Sequence, residues 1–278
     1  MAKKGNNKAL RNSLISIGVV VLLFVIIVIF KSPTTQNLNA SDSSVPSSVM
    51  KTIVSLETKA IQAIGVGSAT AKPKPISGPS LIKNGKPSLV YLGAEYCPYC
   101  ATERWPMVVA LTRFGTINNL KVTHSSTTDV YPDTQTFSFH GSSYTSSYFN
   151  FLPVEMYSNI AQGNGYTVLD KPTTEEQNLM NTYDAPPYVA SSSSGAIPFI
   201  YFGGKYIISG ASYSPQVLQN KSATEIATAL LNPKSPISQG IYGSANLITA
   251  AICSMTNNQP ASACTATIQE IESALSKQ

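Results

Sequence analysis

Apolar blocks and polar connections alternate along this chain with enough regularity to assign most of its elements. Leu14 to Phe30 is 17 residues without a charge, dominated by Ile, Val, Leu and Phe. Ser32 to Ser48 is rich in Ser, Thr, Asn and Pro and has no apolar period, which predicts a flexible stalk. Val49, Ile53, Leu56, Ala60 and Ile64 then recur at helical spacing up to Gly65-Val-Gly67, predicting an amphipathic helix of about four turns. Pro73, Pro75 and Pro79 space an extended connection, and Asn84-Gly85 signals a tight turn into the apolar run Ser88 to Gly93, a buried strand. Beyond it Trp105, Val108, Val109 and Leu111 cover one face of a helix ending near Phe114, with Pro106 marking a kink.

Leu120 to Thr123 reads as a second core strand, and Thr136 to His140 and Tyr148 to Met156 as further strands among Ser-, Tyr- and Thr-rich loops. Lys171-Pro-Thr-Thr-Glu-Glu-Gln opens a helix, with Pro and acids in the first turn, that closes near Tyr183 because Pro186-Pro187 cannot continue it. Pro198 stands at the start of the apolar strand that ends at Phe202, where a missing N–H is tolerated. Gly203-Gly204 turns the chain back through Lys205 to Ile208. Ser222 and Glu225 form a capping-box pattern for a helix over Ala223 to Leu231. Gly243 to Met255 and Ala263 to Leu275 are two more helices, and no solenoid repeat is visible. The whole is an α/β pattern.

Charge changes the picture once it is located. The net charge of +5 would suit nucleic acid, but Lys3, Lys4, Lys8, Arg11 and Lys31 all flank the apolar block and no acid precedes Asp42. From Ser32 onward 14 basic residues face 14 acidic ones, so the body is neutral and no basic-patch argument survives. The apolar block is short for a bilayer span and long for a cleaved signal, and the nearest small-residue cleavage pattern, at Asn39-Ala40, lies ten residues beyond it. A retained anchor is the expectation, with the basic N-terminus in the cytoplasm and the remainder outside. Asn39 and Asn220 match the glycosylation acceptor pattern of an exterior surface, and disulfides persist there.

The candidate chemistry is Cys97-Pro-Tyr-Cys100, placed where strand becomes helix. A thiol at a helix N-terminus meets unpaired N–H groups and the positive end of the dipole, which lower its pKa and make it a nucleophile. The second sulfur, three residues on, is placed to resolve a mixed disulfide. The competing reading is half a zinc site, for which the chain offers only Cys253, Cys264, His124 and His140, with no second C-x-x-C. Cys253 and Cys264 sit near the facing ends of the two last helices. They are expected to form a structural disulfide, the alternative being a second redox pair that exchanges electrons with the first.

The order strand, C-x-x-C, helix, strand, insertion, helix, Xaa-Pro strand, hairpin, helix resembles the thioredoxin fold. Gly93-Ala-Glu-Tyr-Cys-Pro-Tyr-Cys-Ala-Thr-Glu-Arg-Trp105 and Thr123-His-Ser-Ser-Thr-Thr-Asp-Val-Tyr-Pro132 are similar to the prokaryotic, largely archaeal family catalogued as domain of unknown function 929. Its members are similar in being membrane-anchored with an exported thioredoxin-like domain. The resemblance implies a thioredoxin-like α/β fold with an inserted segment, an N-terminal transmembrane helix and a C-terminal α-hairpin. The expected layout is a cytoplasmic tail at 1–12, an anchor at 13–30, a linker at 31–48, the domain at 49–235 with its insertion around 127–190, and the hairpin at 236–278. It also implies that Pro198 follows a cis peptide bond facing the dithiol, so that Ile197 and its neighbours hold an incoming chain like an added strand. Many thioredoxins carry a buried carboxylate six residues before the nucleophile. Tyr91 stands there instead, and Glu95 is the auxiliary candidate, more simply a solvated turn residue.

Two functional classes follow. One is an extracytoplasmic thiol–disulfide oxidoreductase with catalytic Cys97, Cys100 and Pro198. It uses no metal or organic cofactor and acts on exported cysteine-containing proteins, with a redox partner to reset the pair. The other is a cell-surface binding module in which the C-x-x-C is an inert disulfide and the Tyr/Ser/Thr-rich loops bind carbohydrate or protein.

Overall fold

The computed structural model describes residues 43–55 and 62–277. The predicted tail, anchor and most of the linker, and Leu56 and Ala60 of the predicted amphipathic helix, lie outside the described residues. No helix among those described is long and apolar enough to cross a membrane. In chain order the strands are β1 (Ser43–Ser44), β2 (Lys74–Pro75), β3 (Ile82–Lys83), β4 (Lys86–Gly93), β5 (Gly115–Asn118), β6 (Lys121–His124), β7 (Gln135–Ser138), β8 (Ser143–Ser146), β9 (Asn150–Glu155), β10 (Tyr157–Gln162), β11 (Gly165–Val168), β12 (Phe199–Phe202) and β13 (Tyr206–Ser209). The α-helices are α1 (Ser47–Ser55), α2 (Pro98–Thr112), α3 (Thr174–Tyr183), α4 (Ala223–Leu230), α5 (Pro236–Met255) and α6 (Ala266–Leu275).

The central strand is β4, buried from Ser88 to Gly93 because both its faces are covered. It pairs antiparallel with β12, Tyr91 opposite Ile200, and parallel with β9, Gly93 opposite Glu155. Strand β13 follows β12 and β2 forms the edge. Side chains of β4 and β12 alternate between two layers. Leu89, Tyr91, Ile200 and Phe202 join Trp105 and Ile248 in the larger core, whereas Val90, Leu92, Phe199 and Tyr201 pack with Leu179, Met180 and Tyr183 of α3. This is a helix–sheet–helix sandwich.

Local signals account for most boundaries. Asn84 and Gly85 both take positive φ, 51° and 73°, joining β3 to β4 as a tight hairpin should. Thr173 with Glu176, and Ser222 with Glu225, close two complete capping boxes. Helix α2 departs from its predicted one-sided pattern: every residue from Cys100 to Leu111 is buried, because α5 packs on one side and β7 on another, and its apolar side chains share one cluster with Leu89 and Tyr91 of β4. Trp105 packs against Phe137 with ring centres 4.4 Å apart, and its indole N–H donates to the Gln135 carbonyl.

One placement differs from expectation. Leu120 to Thr123 is not in the central sheet; β6 pairs with β7 and β1 in a separate sheet. The parallel neighbour of β4 is β9, inside the stretch assigned to the insertion. The physical reason is burial: Phe151, Val154 and Glu155 are all buried, whereas Lys121 and Val122 stay half-exposed.

Candidate functional site

Strand β4 ends at Gly93 and the chain turns through Ala94-Glu95-Tyr96 into α2. The turn is pinned by the Met156 and Glu95 amides, which donate to Gly93 and Tyr157 at 2.8 Å each, and by the Ser126 amide, which donates to Tyr96 at 2.8 Å. Cys97 takes the extended conformation of a helix N-cap (φ −75°, ψ 121°) and Pro98 occupies the first helical turn, where it forfeits no bond. The Cys97 sulfur is the cap: it accepts the Cys100 N–H at 3.2 Å. The same thiol donates towards the Ile197 carbonyl at 3.6 Å, and the Ile197–Pro198 peptide is cis. The pairing of β12 beside β4 is what carries that carbonyl to the sulfur. Cys97, Cys100, Ile197 and Pro198 are therefore one constellation.

The two sulfurs are unequal. Cys97 is 4 % exposed and Cys100 not at all. A hydrogen bond with the Cys100 side chain, helped by the Cys100 amide and the Arg104 charge, lowers the Cys97 thiol below its ordinary value against the opposing effect of burial. Burial raises Cys100 well above it, and the bond to Cys97 adds to the rise. Such a difference suits an attacking sulfur and a proton-holding one.

Beneath the dithiol lies a charged core that sequence reasoning missed. Arg104 is fully buried and donates through Nε to Glu155 Oε1 at 2.7 Å, and through Nη2 to Glu155 Oε2 at 2.6 Å and the Ala94 carbonyl at 2.7 Å. Burial pulls the guanidinium down, but Glu155 outweighs it and leaves Arg104 above its usual range. Arg104 stands four residues after Cys100, a spacing that puts both on one helix face and was legible. Glu155 reaches the site only through the β4–β9 register, which no local pattern announces. Tyr91 is wholly buried, and its hydroxyl lies so close over Gly93 that a Cβ there would sit 2.3 Å away. A side chain there would have to displace the buried Tyr91 ring.

Glu95 is corrected by the structure: it is only 6 % exposed, not a solvated turn residue. Ser138 Oγ donates to it at 2.5 Å, and burial raises its carboxyl pKa despite that bond. Cys253 and Cys264 are bonded to each other, with Cα atoms 5.7 Å apart, and tie the end of α5 to the start of α6. Neither is then a free thiolate for a metal, and among the described residues no three His, Cys, Asp or Glu cluster as a metal site. Tyrosines rim the dithiol: Tyr96 stacks on Tyr166 of β11 at 4.2 Å, and Tyr99, 42 % exposed, meets Tyr131 edge-on. A cavity of about 490 Å³ between α3 and Pro79–Leu81 includes none of the predicted site residues.

No curated protein and no solved structure matches the chain. The family model described as domain of unknown function 929 matches residues 72–254, a span holding Cys97, Cys100, Arg104, Glu155 and Pro198, and the chain belongs to that family.

Proposed function

We propose that the protein is a membrane-anchored thiol–disulfide oxidoreductase whose thioredoxin-like domain acts outside the cell membrane on cysteines of exported proteins. One observation carries the reading: the Cys97 sulfur caps α2, accepts the Cys100 amide and faces the Ile197 carbonyl that precedes Pro198. In this reading Cys97 attacks a substrate disulfide or is attacked by a substrate thiolate. Cys100 resolves the mixed disulfide, and the strand edge at Ile197–Pro198 holds the substrate backbone as an added strand. Residues 14–30 are the anchor, and the dithiol itself is the redox group. A partner couple outside the membrane resets it.

The near-complete burial of both sulfurs favours the rival reading, an inert bond in a surface binding module. Equilibration with glutathione redox buffers, followed by alkylation and mass measurement, separates the two. The oxidoreductase reading expects reversible titration of the Cys97–Cys100 pair and, from Cys100→Ser, trapped disulfide adducts through Cys97. A folded Cys100→Ser protein that yields no adduct, together with a pair that never exchanges, would discard it.

A further inference from the structure

Tyr91 and Arg104 are buried polar side chains at the dithiol with capacity to spare. Among the described residues the Tyr91 hydroxyl has no hydrogen-bond partner, and neither does Nη1 of Arg104. Both groups lie within electrostatic reach of Cys100 and Cys97. They are placed there by contacts already described: Tyr91 lies over Gly93, and Arg104 is clamped to Ala94, the next residue. A buried donor without an acceptor is costly, so its retention beside a sulfur that becomes negative asks for an explanation in the reaction. In place of a carboxylate that would repel a thiolate, this chain holds a neutral phenol, kept protonated by burial, and a cation.

Resting on the oxidoreductase reading, we propose that Arg104 and Tyr91 are positioning residues that stabilise negative charge at the pair, on the Cys100 sulfur as it leaves and on the Cys97 sulfur of the reduced form, and thereby set the pair as an electron acceptor. In the step they serve, a substrate thiolate attacks the Cys97 sulfur of the oxidised pair. A substrate–Cys97 bond forms, the Cys97–Cys100 bond breaks, and its electron pair leaves on Cys100 beneath Arg104 and Tyr91. The second substrate thiolate then displaces Cys97, so the substrate dithiol loses two electrons and ends as a disulfide, while the pair gains them. Cys100, whose thiol holds its proton firmly, takes up one proton, and the more exposed Cys97 exchanges the other with solvent. A partner disulfide reoxidises the pair. Stabilising the charge on Cys100 as it leaves speeds departure, and stabilising the Cys97 thiolate of the reduced form makes the couple more oxidising.

The test is the glutathione equilibrium of the Cys97–Cys100 pair in the full-length protein, measured for wild type, Tyr91→Phe, Glu155→Gln and the paired Arg104→Met/Glu155→Leu variant. The rate at which each oxidised form converts a dithiol peptide to its disulfide is the second readout. Tyr91→Phe removes only an unpartnered hydroxyl, so the fold tolerates it. Its equilibrium is expected to move about tenfold towards the disulfide, with slower peptide oxidation, the loss of one hydrogen bond to a charged group. The paired variant should move the same way. Glu155→Gln leaves the Arg104 charge less compensated and should move the equilibrium in the opposite direction. A merely structural role predicts no such reversal. An unchanged Tyr91→Phe, or Glu155→Gln shifting with it, overturns the proposal while leaving the oxidoreductase reading intact. A wild-type pair that never exchanges with glutathione overturns both.

Discussion

Glu103 shows how one side chain is read differently in line and in space. It follows Cys100 by three residues and looks like an ordinary helix acid, yet it is wholly buried. Its Oε2 accepts the Ser212 amide at 2.7 Å and its Oε1 the Ser212 hydroxyl at 2.8 Å. Burial outweighs those bonds and pushes its carboxyl from 4.5 up to about 7. The folded state therefore keeps a proton that the unfolded chain releases. Glu103's stabilising share is complete below pH 4.5, declines as pH rises, and is gone above about 7. The span corresponds to about 3 kcal/mol. Denaturation followed across that window should show wild type weakening as pH rises. Glu103→Gln, which mimics the protonated acid, should lose Glu103's part of the slope, and equal slopes would refute the assignment. Glu95, also raised by burial, adds to the same trend and remains in the variant.

At the scale of elements, α5 and α6 carry the sharpest expectations. Gly243 of α5 lies so close to the preceding turn that a Cβ would fall 2.3 Å from the Val66 carbonyl oxygen, and backbone cannot step aside as a side-chain tip can. Asn246, one turn on, donates to Gly65 at 2.7 Å and fixes that approach. Gly243→Ala gains helix propensity but should lose about 2 kcal/mol net in urea denaturation through overpacking. The Cys253–Cys264 bond closes an 11-residue separation. Replacing both by Ala should cost about 3 kcal/mol in the chain-entropy account. The glutathione equilibrium of Cys97–Cys100 should be unaltered, and a shifted equilibrium would point instead to a second redox pair. The α5–α6 hairpin was legible because both apolar patterns and both cysteines are local. The seven earlier residues of α5, from Pro236, were missed, although Ser235 and Pro236 form a standard helix start.

For the whole molecule, the proposed anchor and the polar, charge-balanced body make one further expectation. The full chain should sediment with membranes through alkaline extraction, and deletion of residues 14–30 should release it. A membrane-impermeant thiol reagent should label Cys97 of the reduced protein in intact cells, and labelling only after lysis would reverse the orientation. The sequence by itself determined the buried strand before the dithiol and the helix after it, the hairpin turns, the capped helices and the position of the dithiol at a helix start. Those depend on residues close together in the chain: Asn84-Gly85, Ser222 with Glu225, Cys97 with Cys100. Only the tertiary structure decided that β9 rather than Leu120–Thr123 flanks β4, that Glu95 is buried, and that Glu155 pairs with Arg104 below the sulfurs. Those depend on register between strands about sixty residues apart. Pairing is chosen there by which faces can be buried together, a property of the assembled sheet and not of any stretch of sequence.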